Sequence, residues 1–351
     1  ARFVVSQIRV GGMAARLRDE ELGREFGLVG QETVGVGGMA NALRTVPVAL
    51  GIAEVVREVA PDATLLNFTN PAGLVTEALC RYGPVPTIGL CNVPWSTKAL
   101  VAGHLGVDVA DVDLETVGLN HLTWTRRIEV SGVDRTDEVL DGFRALVAAG
   151  DGDGEPSWTP AAADLFAAVP NYYLLYYYET DAWLRYQAHA TPRADEVMRI
   201  EAQLMARYAD PALDTKPPEL DLRGGAYYSE AAAALMADLV SDAGTVHVVN
   251  VPNAGAVPGL PDDVVVEVSA VVGSDGARPR PTGPLRPDLD ALVRTMKDVE
   301  LLVVEAAVHG DHDAARRALL AHPLGPPAHQ VDRVWERLRE VNAGWLGLLD
   351  G

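Results

Sequence analysis

The chain has 351 residues, of which 48% are hydrophobic and 22% charged, and its formal net charge is −20. This is the composition of a folded globular protein, long enough for one large α/β domain or two ordinary ones. The acidic charge argues against nucleic-acid or membrane partners, because both require clustered lysine and arginine. Cys80 and Cys91 are too few for a disulfide framework and predict a reducing, cytoplasmic location. No apolar run reaches the length of a membrane span, and no signal peptide is recognisable.

The first 130 residues alternate apolar runs with helical patterns, which predicts a parallel sheet with helical crossovers. Predicted strands cover residues 3–8, 63–69 and 86–91, and predicted helices cover 39–61 and 72–83. In such a sheet, ligands bind beyond the carboxyl ends of the strands. The polar or reactive residues that follow these ends are Arg9, Asn67, Asn70, Cys91 and Asn92. Gly35 and Gly37 are interpreted as a flexible turn before a helix N-terminus, suited to anions but unlike a dinucleotide fingerprint.

From about residue 131 the pattern changes to a mixture of helical and β-type segments. Residues 148–160 predict an exposed loop, and residues 171–186 form an aromatic cluster. A helix over 193–210, a β-rich segment over 244–272 and a helical tail from residue 286 follow. Within that tail, apolar residues 294–308 either supply a subunit interface or pack on their own domain.

Two side chains that bind metals stand in apolar surroundings, Cys91 in "GLCNVP" and His121 in "GLNHLTW". A buried cysteine is commonly an inert hydrophobe, and a single histidine is commonly a hydrogen-bonded structural residue. Together they form a possible thiolate–imidazole pair for a transition metal that takes further ligands from a substrate. The spacing alone leaves both interpretations open.

Five tyrosines lie within seven residues, and most of them are expected to form an aromatic packing layer. One of them, near a metal and cations, is a candidate base with a lowered pKa. Arg16 and Arg193 are candidate anion ligands, although arginines are more often solvated surface residues.

Taken jointly and in order, the motifs "NFTNPAG", "GLCNVP", "GLNHLTW", "PNYYLLYYY", "GGAYYSE" and "HVVNVPNAGAVPGL" are specific. The chain resembles the NAD- and manganese-dependent glycoside hydrolases of family 4, in the 6-phospho-β-glucosidase branch. The resemblance implies an α/β fold of the lactate and malate dehydrogenase type. It implies a partial Rossmann-like, NAD-binding domain over 1–125 and an α+β substrate, catalytic and oligomerisation domain over 126–351.

The same resemblance implies a role for each site residue. Cys91 and His121 bind Mn²⁺ or another divalent metal, and Tyr173, chosen over Tyr172 by register, is the base. Substrate contacts are implied for Arg16, Asn70, Asn92, Asn120 and Arg193, and a cofactor contact for Glu32. The implied reaction converts a 6-phospho-β-glucoside to glucose 6-phosphate by oxidation, elimination, addition and reduction, without the usual carboxylate pair. Because Asn92 replaces an aspartate of the α-acting branch, a β-linked phosphorylated disaccharide or glycoside is expected.

The Gly-rich cofactor turn with which the family begins has no counterpart here, so we expect the chain to be a fragment of a working enzyme. The other possibility is a non-catalytic remnant that binds metal and sugar phosphate. A third possibility is a 2-hydroxy acid dehydrogenase, which "NFTNP" favours. However, this sequence lacks the Gly-x-His-Gly motif of those enzymes, and they need no metal. A homodimer or homotetramer is expected from the resemblance.

Overall fold

The computed structural model describes residues 1–150 and 154–350. Its strands are β1 (Phe3–Ser6), β2 (Thr64–Asn67), β3 (Thr87–Gly89), β4 (Val112–Leu119), β5 (Leu122–Val130), β6 (Val133–Asp134), β7 (Val169–Pro170), β8 (Thr245–Pro252), β9 (Val265–Gly273) and β10 (Gly276–Pro279). Its helices are α1 (Gly12–Glu25), α2 (Gly35–Val59), α3 (Ala72–Tyr82), α4 (Asn92–Leu105), α5 (Thr136–Ala149), α6 (Pro160–Phe166), α7 (Leu175–Tyr178), α8 (Thr180–Gln187), α9 (Arg193–Tyr208), α10 (Glu219–Arg223), α11 (Tyr228–Ser241), α12 (Pro287–His309), α13 (His312–Ala321) and α14 (Val331–Val341).

The larger sheet has the strand order β1-β2-β3-β8-β9-β10. β1, β2 and β3 are parallel, as the sequence predicts. The apolar residues of β2 and β3 are buried in the core, whereas Val5 on the edge strand β1 is exposed. β8 joins β3 in the antiparallel direction at Gly89 and Asn250, and β9 and β10 continue the antiparallel part. The C-terminal half of the chain therefore completes the sheet that the N-terminal half begins.

The second sheet is built on the long hairpin of β4 and β5, which β6 and β7 extend. It lies against the larger sheet, where the Ser269 hydroxyl on β9 donates to the Leu114 carbonyl at 2.6 Å and accepts from the Thr116 amide at 2.9 Å. The boundary predicted between residues 125 and 126 falls inside β5. The division into two domains stays a prediction.

Helix α12 packs within the chain, on α2, α3 and α13. Residues 294–308, which we considered for a subunit interface, form most of this helix, and its buried positions include Val299, Val303 and Ala306. A buried ion triad also joins it to α3, where the Lys297 ammonium donates to Glu77 at 3.0 Å and to Glu300 at 2.5 Å. Of the two interpretations of this segment, packing on its own chain is the one that the structure shows.

Helix α2 corrects the interpretation of the glycine segment as a flexible turn. The helix begins at Gly35, so Gly35 and Gly37 belong to its first turn, and both are buried. An added Cβ at Gly37 would lie 2.2 Å from the Gln31 carbonyl oxygen and 2.8 Å from that of Asp19. Close packing of the preceding backbone therefore requires glycine here.

By length and composition α2 is also apolar enough to cross a membrane, although no membrane span was predicted from the sequence. However, 61% of its most apolar stretch is buried inside the protein, as in a core helix.

The remaining predictions are largely confirmed. The helix predicted over 193–210 is α9, the β-rich segment contains β8 and β9, and the tail is helical. The exposed loop predicted over 148–160 is shorter than expected, because residues 148 and 149 end α5, Trp158 is buried and Pro160 begins α6. Residues 154–157 are exposed or half-buried without helix or strand, and residues 151–153 lie outside the described part. The fold class is confirmed as α/β, with a Rossmann-like parallel sheet followed by α+β structure.

Candidate active site

A cavity of about 910 Å³ opens at the carboxyl ends of β1, β2 and β3, at the upper end of the usual range for ligand sites. Residues that directly follow these three strands line it: Gln7 to Arg9 after β1, Phe68 and Asn70 after β2, and Asn92 after β3. Of the strand-end residues identified in the sequence, Arg9, Asn70 and Asn92 face the cavity. Asn67 is instead buried and donates to the Thr76 hydroxyl at 3.1 Å.

The two candidate metal ligands lie together beneath the cavity. Cys91 follows β3 as the residue before α4, and His121 occupies the turn between β4 and β5 with a left-handed φ of 62°. The Cys91 Sγ and His121 Nε2 atoms are 3.5 Å apart, and both side chains are buried. Thirty residues of sequence separate them, so the hairpin turn of the second sheet is what brings the imidazole to the end of β3.

This pair fits one divalent cation. Two ligand atoms of a four-coordinate ion lie roughly 3.6 Å apart when the bonds are about 2.1 and 2.3 Å long. Burial lowers the pKa of His121 to about 3, so its imidazole is neutral, as a metal ligand must be. No group of three or more His, Cys, Asp or Glu residues with metal-site spacing occurs in residues 1–150 and 154–350. Further ligands would therefore come from substrate or water.

Burial and the nearby carboxylate of Glu267 raise the pKa of the Cys91 thiol to about 12. Backbone amides at the start of α4 act in the opposite direction but do not compensate. Glu267 is itself buried and accepts from the side-chain amides of Asn120 and Asn250, at 2.9 Å each. Burial raises the pKa of this carboxyl to about 7. The thiol is therefore protonated near neutral pH within the protein alone, and a positive charge would be needed to hold it as thiolate.

Tyr173 forms the boundary between the cavity and this pair. Its ring stacks on the His121 ring with centroids 3.6 Å apart and planes within 3°. The motif predicts a lowered pKa for such a tyrosine, but burial raises the pKa of Tyr173, as do the charges of Glu32 and Cys91, while Arg16 lowers it. The adjacent Tyr172 points elsewhere, is 45% exposed and donates to Glu155 at 3.3 Å.

The cavity is richer in positive charge than the rest of the protein. Its lining has five arginines and four glutamates, in a chain whose net charge is −20. Arg16 is nearly buried and bonds Glu20 at 2.8 Å and Glu32 at 3.1 Å. Arg193 is half-exposed and bonds Glu196 at 2.8 Å and the Leu222 carbonyl at 2.7 Å. Both predicted anion ligands therefore face one cavity, where charge-assisted bonds to a phosphate are strong.

The other predicted residues lie in or just behind the wall of the cavity. The Asn92 amide donates to the Ala226 carbonyl at 3.3 Å, and Glu32 is paired with both Arg9 and Arg16. Asn120 is not part of the lining, because its amide bonds Glu267 and its oxygen accepts from the Gly73 amide at 3.3 Å.

Several lining residues were missed by the sequence analysis. Tyr228 packs edge-on against Phe68 at 5.4 Å and contacts Asn70 close to Cys91, yet its motif, "GGAYYSE", was noted without a role. Arg223 lines the same cavity from the end of α10, and Glu155 accepts from both Tyr172 and Tyr186. Neither of these two stands in a motif that the sequence analysis singled out.

Comparison with known proteins agrees with this geometry. Residues 1–107 match the model for family 4 glycosyl hydrolases, and residues 116–325 match that for the family 4 glycosyl hydrolase C-terminal domain. A probable 6-phospho-beta-glucosidase of Bacillus subtilis is 38% identical over 99% of this chain and 80% of its own length. The 6-phospho-beta-glucosidase of Escherichia coli is 36% identical over 99% of this chain and 79% of its own.

Solved structures give the same result. The 6-phospho-beta glucosidase from Thermotoga maritima, in a form with manganese, NAD⁺ and glucose-6-phosphate, superposes with a TM-score of 0.91 and 35% identity. The match covers 97% of this chain and 81% of that one. Family models that match most of the sequence, and relatives above 30% identity that span nearly all of it, place this chain in glycosyl hydrolase family 4.

Proposed function

We propose that this chain hydrolyses 6-phospho-β-glucosides to glucose 6-phosphate and the free aglycone, with NAD⁺ and Mn²⁺ as cofactors. The observation that carries the proposal is the buried Cys91–His121 pair beneath the ring of Tyr173, at the base of an arginine-rich cavity. Relatives that match over nearly the whole chain are 6-phospho-beta-glucosidases, and a structural neighbour holds manganese, NAD⁺ and glucose-6-phosphate.

Cys91 and His121 would hold the divalent cation, one through sulfur and one through imidazole. When bound, NAD⁺ supplies a hydride acceptor for carbon 3 of the sugar and the cation supplies a Lewis acid, which together acidify the hydrogen on carbon 2. The chain's own task is then to position the sugar ring and to remove that hydrogen.

Tyr173 is the group that removes it in this proposal. A phenol with a raised pKa is protonated at neutral pH, so it acts as a base only where positive charge lowers that pKa. Arg16 is the cation of this chain that lowers the pKa of Tyr173. Because its ring packs directly on His121, Tyr173 lies beside the site where the oxidised sugar carbon is expected.

Arg16 and Arg193 would bind the sugar 6-phosphate, and Asn70 and Asn92 would bind sugar hydroxyls. Glu32 remains the proposed cofactor contact, although in the structure its carboxylate holds Arg9 and Arg16. Asn120 was predicted to bind substrate, but its bonds to Glu267 and Gly73 favour support of the His121 turn.

An ordinary glycosidase uses a pair of carboxyl groups that flank the scissile bond, one as acid and one as base or nucleophile. The carboxylates among the described lining residues are all engaged. Glu20, Glu32 and Glu196 pair with arginines, and Glu155 accepts from two tyrosines. The support for the redox-assisted route is therefore the Cys91–His121 pair and the relatives rather than these carboxylates.

The β-linked substrate is supported by Asn92, whose amide has no titratable proton to give to the departing oxygen. Water would supply that proton. In agreement, the 6-phospho-beta-glucosidases are 36–38% identical to this chain, whereas the maltose-6'-phosphate glucosidases and 6-phospho-alpha-glucosidases are 28–30% identical. We also propose that the protein is a homodimer or homotetramer and is located in the cytoplasm. Light scattering on the purified protein measures its oligomeric state.

The test is an assay with a chromogenic 6-phospho-β-glucoside. We expect aglycone release that requires both NAD⁺ and Mn²⁺ and leaves no net NADH, with little release from the α-anomer. Accumulating NADH would instead indicate a dehydrogenase, and binding of glucose 6-phosphate and Mn²⁺ without NAD⁺ affinity would indicate a non-catalytic remnant.

Cys91→Ser gives the matching prediction at the metal site. Because serine lacks the thiolate ligand, we expect Mn²⁺-dependent release to be lost and calorimetric Mn²⁺ affinity to fall by at least an order of magnitude. Cys80→Ser is the control, since Cys80 lies on α3 with its thiol near the Thr87 carbonyl. Equal Mn²⁺ affinities in the two variants would contradict the ligand assignment.

A further inference from the structure

The ring of His121 has a hydrogen-bonding partner on each nitrogen. Nε2 faces the Cys91 sulfur at 3.5 Å, and Nδ1 lies 3.1 Å from the hydroxyl oxygen of Thr33. All three side chains are buried. A neutral imidazole carries one hydrogen, so the direction of the Thr33 bond decides which nitrogen is free to bind a cation.

Gln31 fixes that direction. The Thr33 backbone amide donates to Gln31 Oε1 at 2.5 Å, and because an amide N–H only donates, the side-chain atom there must be the Gln31 oxygen. The Thr33 hydroxyl lies 2.8 Å from the same oxygen. That oxygen only accepts, so the single hydroxyl hydrogen of Thr33 points to Gln31.

With its hydrogen committed to Gln31, the Thr33 oxygen faces His121 as an acceptor only. The hydrogen of the imidazole must then be on Nδ1, which leaves a lone pair on Nε2 directed at the Cys91 sulfur. The chain of donors runs from His121 to Thr33 to Gln31, whose Oε1 accepts from both the hydroxyl and the backbone amide of Thr33. The Tyr173 hydroxyl also contacts Thr33. Reversing one bond would leave two acceptors or two donors facing each other in a buried place, at a free-energy cost.

The backbone around Gln31 and Thr33 is held firmly enough to maintain this arrangement. The Gln31 carbonyl packs on Gly37 at a distance that excludes a Cβ, and the Asn41 amide donates to the Glu32 carbonyl at 3.2 Å. On the other side, His121 is held in its turn through Asn120 and Glu267. Both ends of the bond between Thr33 and His121 therefore rest on buried, packed segments.

We infer that Thr33 and Gln31 are positioning residues that keep His121 as the Nδ1–H tautomer, so that Nε2 is ready to bind a divalent cation with Cys91. The inference deepens the proposed function, because it rests on His121 being a metal ligand. Outer partners of ligand histidines commonly change metal affinity by 10- to 100-fold when they are removed.

The first test reads the tautomer directly, in protein without added metal. Selective ¹⁵N-histidine labelling and long-range ¹H–¹⁵N correlation distinguish the two tautomers, and loss of one ring pattern in His121→Asn assigns His121. We expect the Nδ1–H pattern in the parent protein and in Thr33→Ser, which keeps the hydroxyl. In Thr33→Val we expect Nε2–H to appear, because the hydroxyl that accepts from Nδ1 is removed. In Gln31→Leu we expect the same pattern, because the Thr33 hydroxyl no longer donates to Gln31 and can donate to Nδ1 instead.

The second test measures affinity for Co²⁺, followed by the absorbance of the sulfur-to-cobalt charge-transfer band. Thr33→Val should bind Co²⁺ 10- to 100-fold more weakly, while Thr33→Ser and Gln31→Glu, which keep the oxygens in place, should remain within about threefold of the parent. Melting temperatures within a few degrees of the parent identify the variants that remain folded, and Gln31→Leu replaces Thr33→Val if the latter does not fold.

An Nε2–H pattern in the parent protein would overturn the inference, and so would an unchanged tautomer and Co²⁺ affinity in a folded Thr33→Val or Gln31→Leu variant. Failure of the parent protein to bind Co²⁺ at all would overturn the proposed metal site instead. Because the tautomer is measured without metal, the two failures are distinguishable.

Discussion

Tyr172 and Tyr173 are adjacent in sequence but have different surroundings. Tyr173 stacks on His121, whereas the hydroxyl of Tyr172 points to Glu155 at the edge of the cavity. We predict that Tyr173→Phe abolishes exchange of the carbon 2 hydrogen of glucose 6-phosphate with solvent deuterium and lowers kcat by roughly 10²- to 10⁴-fold, because the base is removed. Proton NMR in D₂O with NAD⁺ and Mn²⁺ measures the exchange.

Tyr172→Phe is the matched control, because it removes a hydroxyl one residue away while leaving the aromatic ring. It should retain exchange at close to the parent rate. If Tyr172→Phe stops the exchange and Tyr173→Phe does not, the register that selects Tyr173 is wrong by one residue.

Site residues that lie in local sequence motifs were predicted, whereas site residues that are positioned by contacts with distant parts of the chain were not. Arg9, Asn70 and Asn92 were placed correctly at strand ends, because apolar runs and their final residues are local signals. Thr33 carried no such signal, since its position beside His121 depends on a hairpin turn with φ of 62° that is 88 residues away in the chain. The raised pKa of Tyr173 likewise follows from burial, which no motif encodes.

Glycine in helix α2 is the clearest constraint at the scale of elements. Gly37→Ala places a Cβ against two backbone oxygens that have no side-chain freedom to move away. We predict a loss of about 1–3 kcal/mol in stability and a melting temperature lower by several degrees, measured by circular dichroism. The same variant should weaken Co²⁺ binding, because Gln31 is displaced.

Gly51→Ala in the same helix provides the opposite case. Nothing lies within 4 Å of its added Cβ, so the substitution should stabilise the protein by about 0.5–1 kcal/mol, the usual gain of alanine over glycine in a helix. A Gly37→Ala variant as stable as Gly51→Ala would contradict the close-packing interpretation.

Helices and strands with a simple hydrophobic period were predicted from the sequence. The pairing of strands that are far apart in the chain was not. α3 over Ala72–Tyr82 matches the prediction of 72–83 to one residue, because its apolar periodicity and terminal glycine are local. The pairing of β3 with β8 joins residues 161 positions apart in the chain, at Gly89 and Asn250. No local pattern states which strand lies next to which, so the mixed sheet could not be derived from the sequence.

The stability of the whole molecule should depend on pH through Glu267. Burial raises the pKa of this carboxyl from 4.5 to about 7, so the unfolded chain ionises first as pH rises. Ionisation favours the unfolded state, and folding stability falls between about pH 4.5 and 7, by on the order of 3 kcal/mol. Above pH 7 the folded protein ionises as well and the loss levels off.

Glu267→Gln isolates this effect, because glutamine keeps an oxygen for Asn120 and Asn250 but does not titrate. We predict that the melting temperature of the variant rises relative to the parent as pH increases from 4.5 to 7. A constant difference over that range would show that Glu267 has an ordinary pKa in the folded protein.

The closure of Cys91 beneath the cavity has a consequence for the lifetime of the enzyme. Peroxides and alkylating reagents attack exposed thiolates, whereas Cys91 is only 3% exposed and its thiol holds its proton at neutral pH. The metal-free protein therefore keeps this sulfur in its unreactive, protonated form. The ligand therefore stays intact until a cation binds, and the protein can remain without metal for longer than an exposed cysteine would allow.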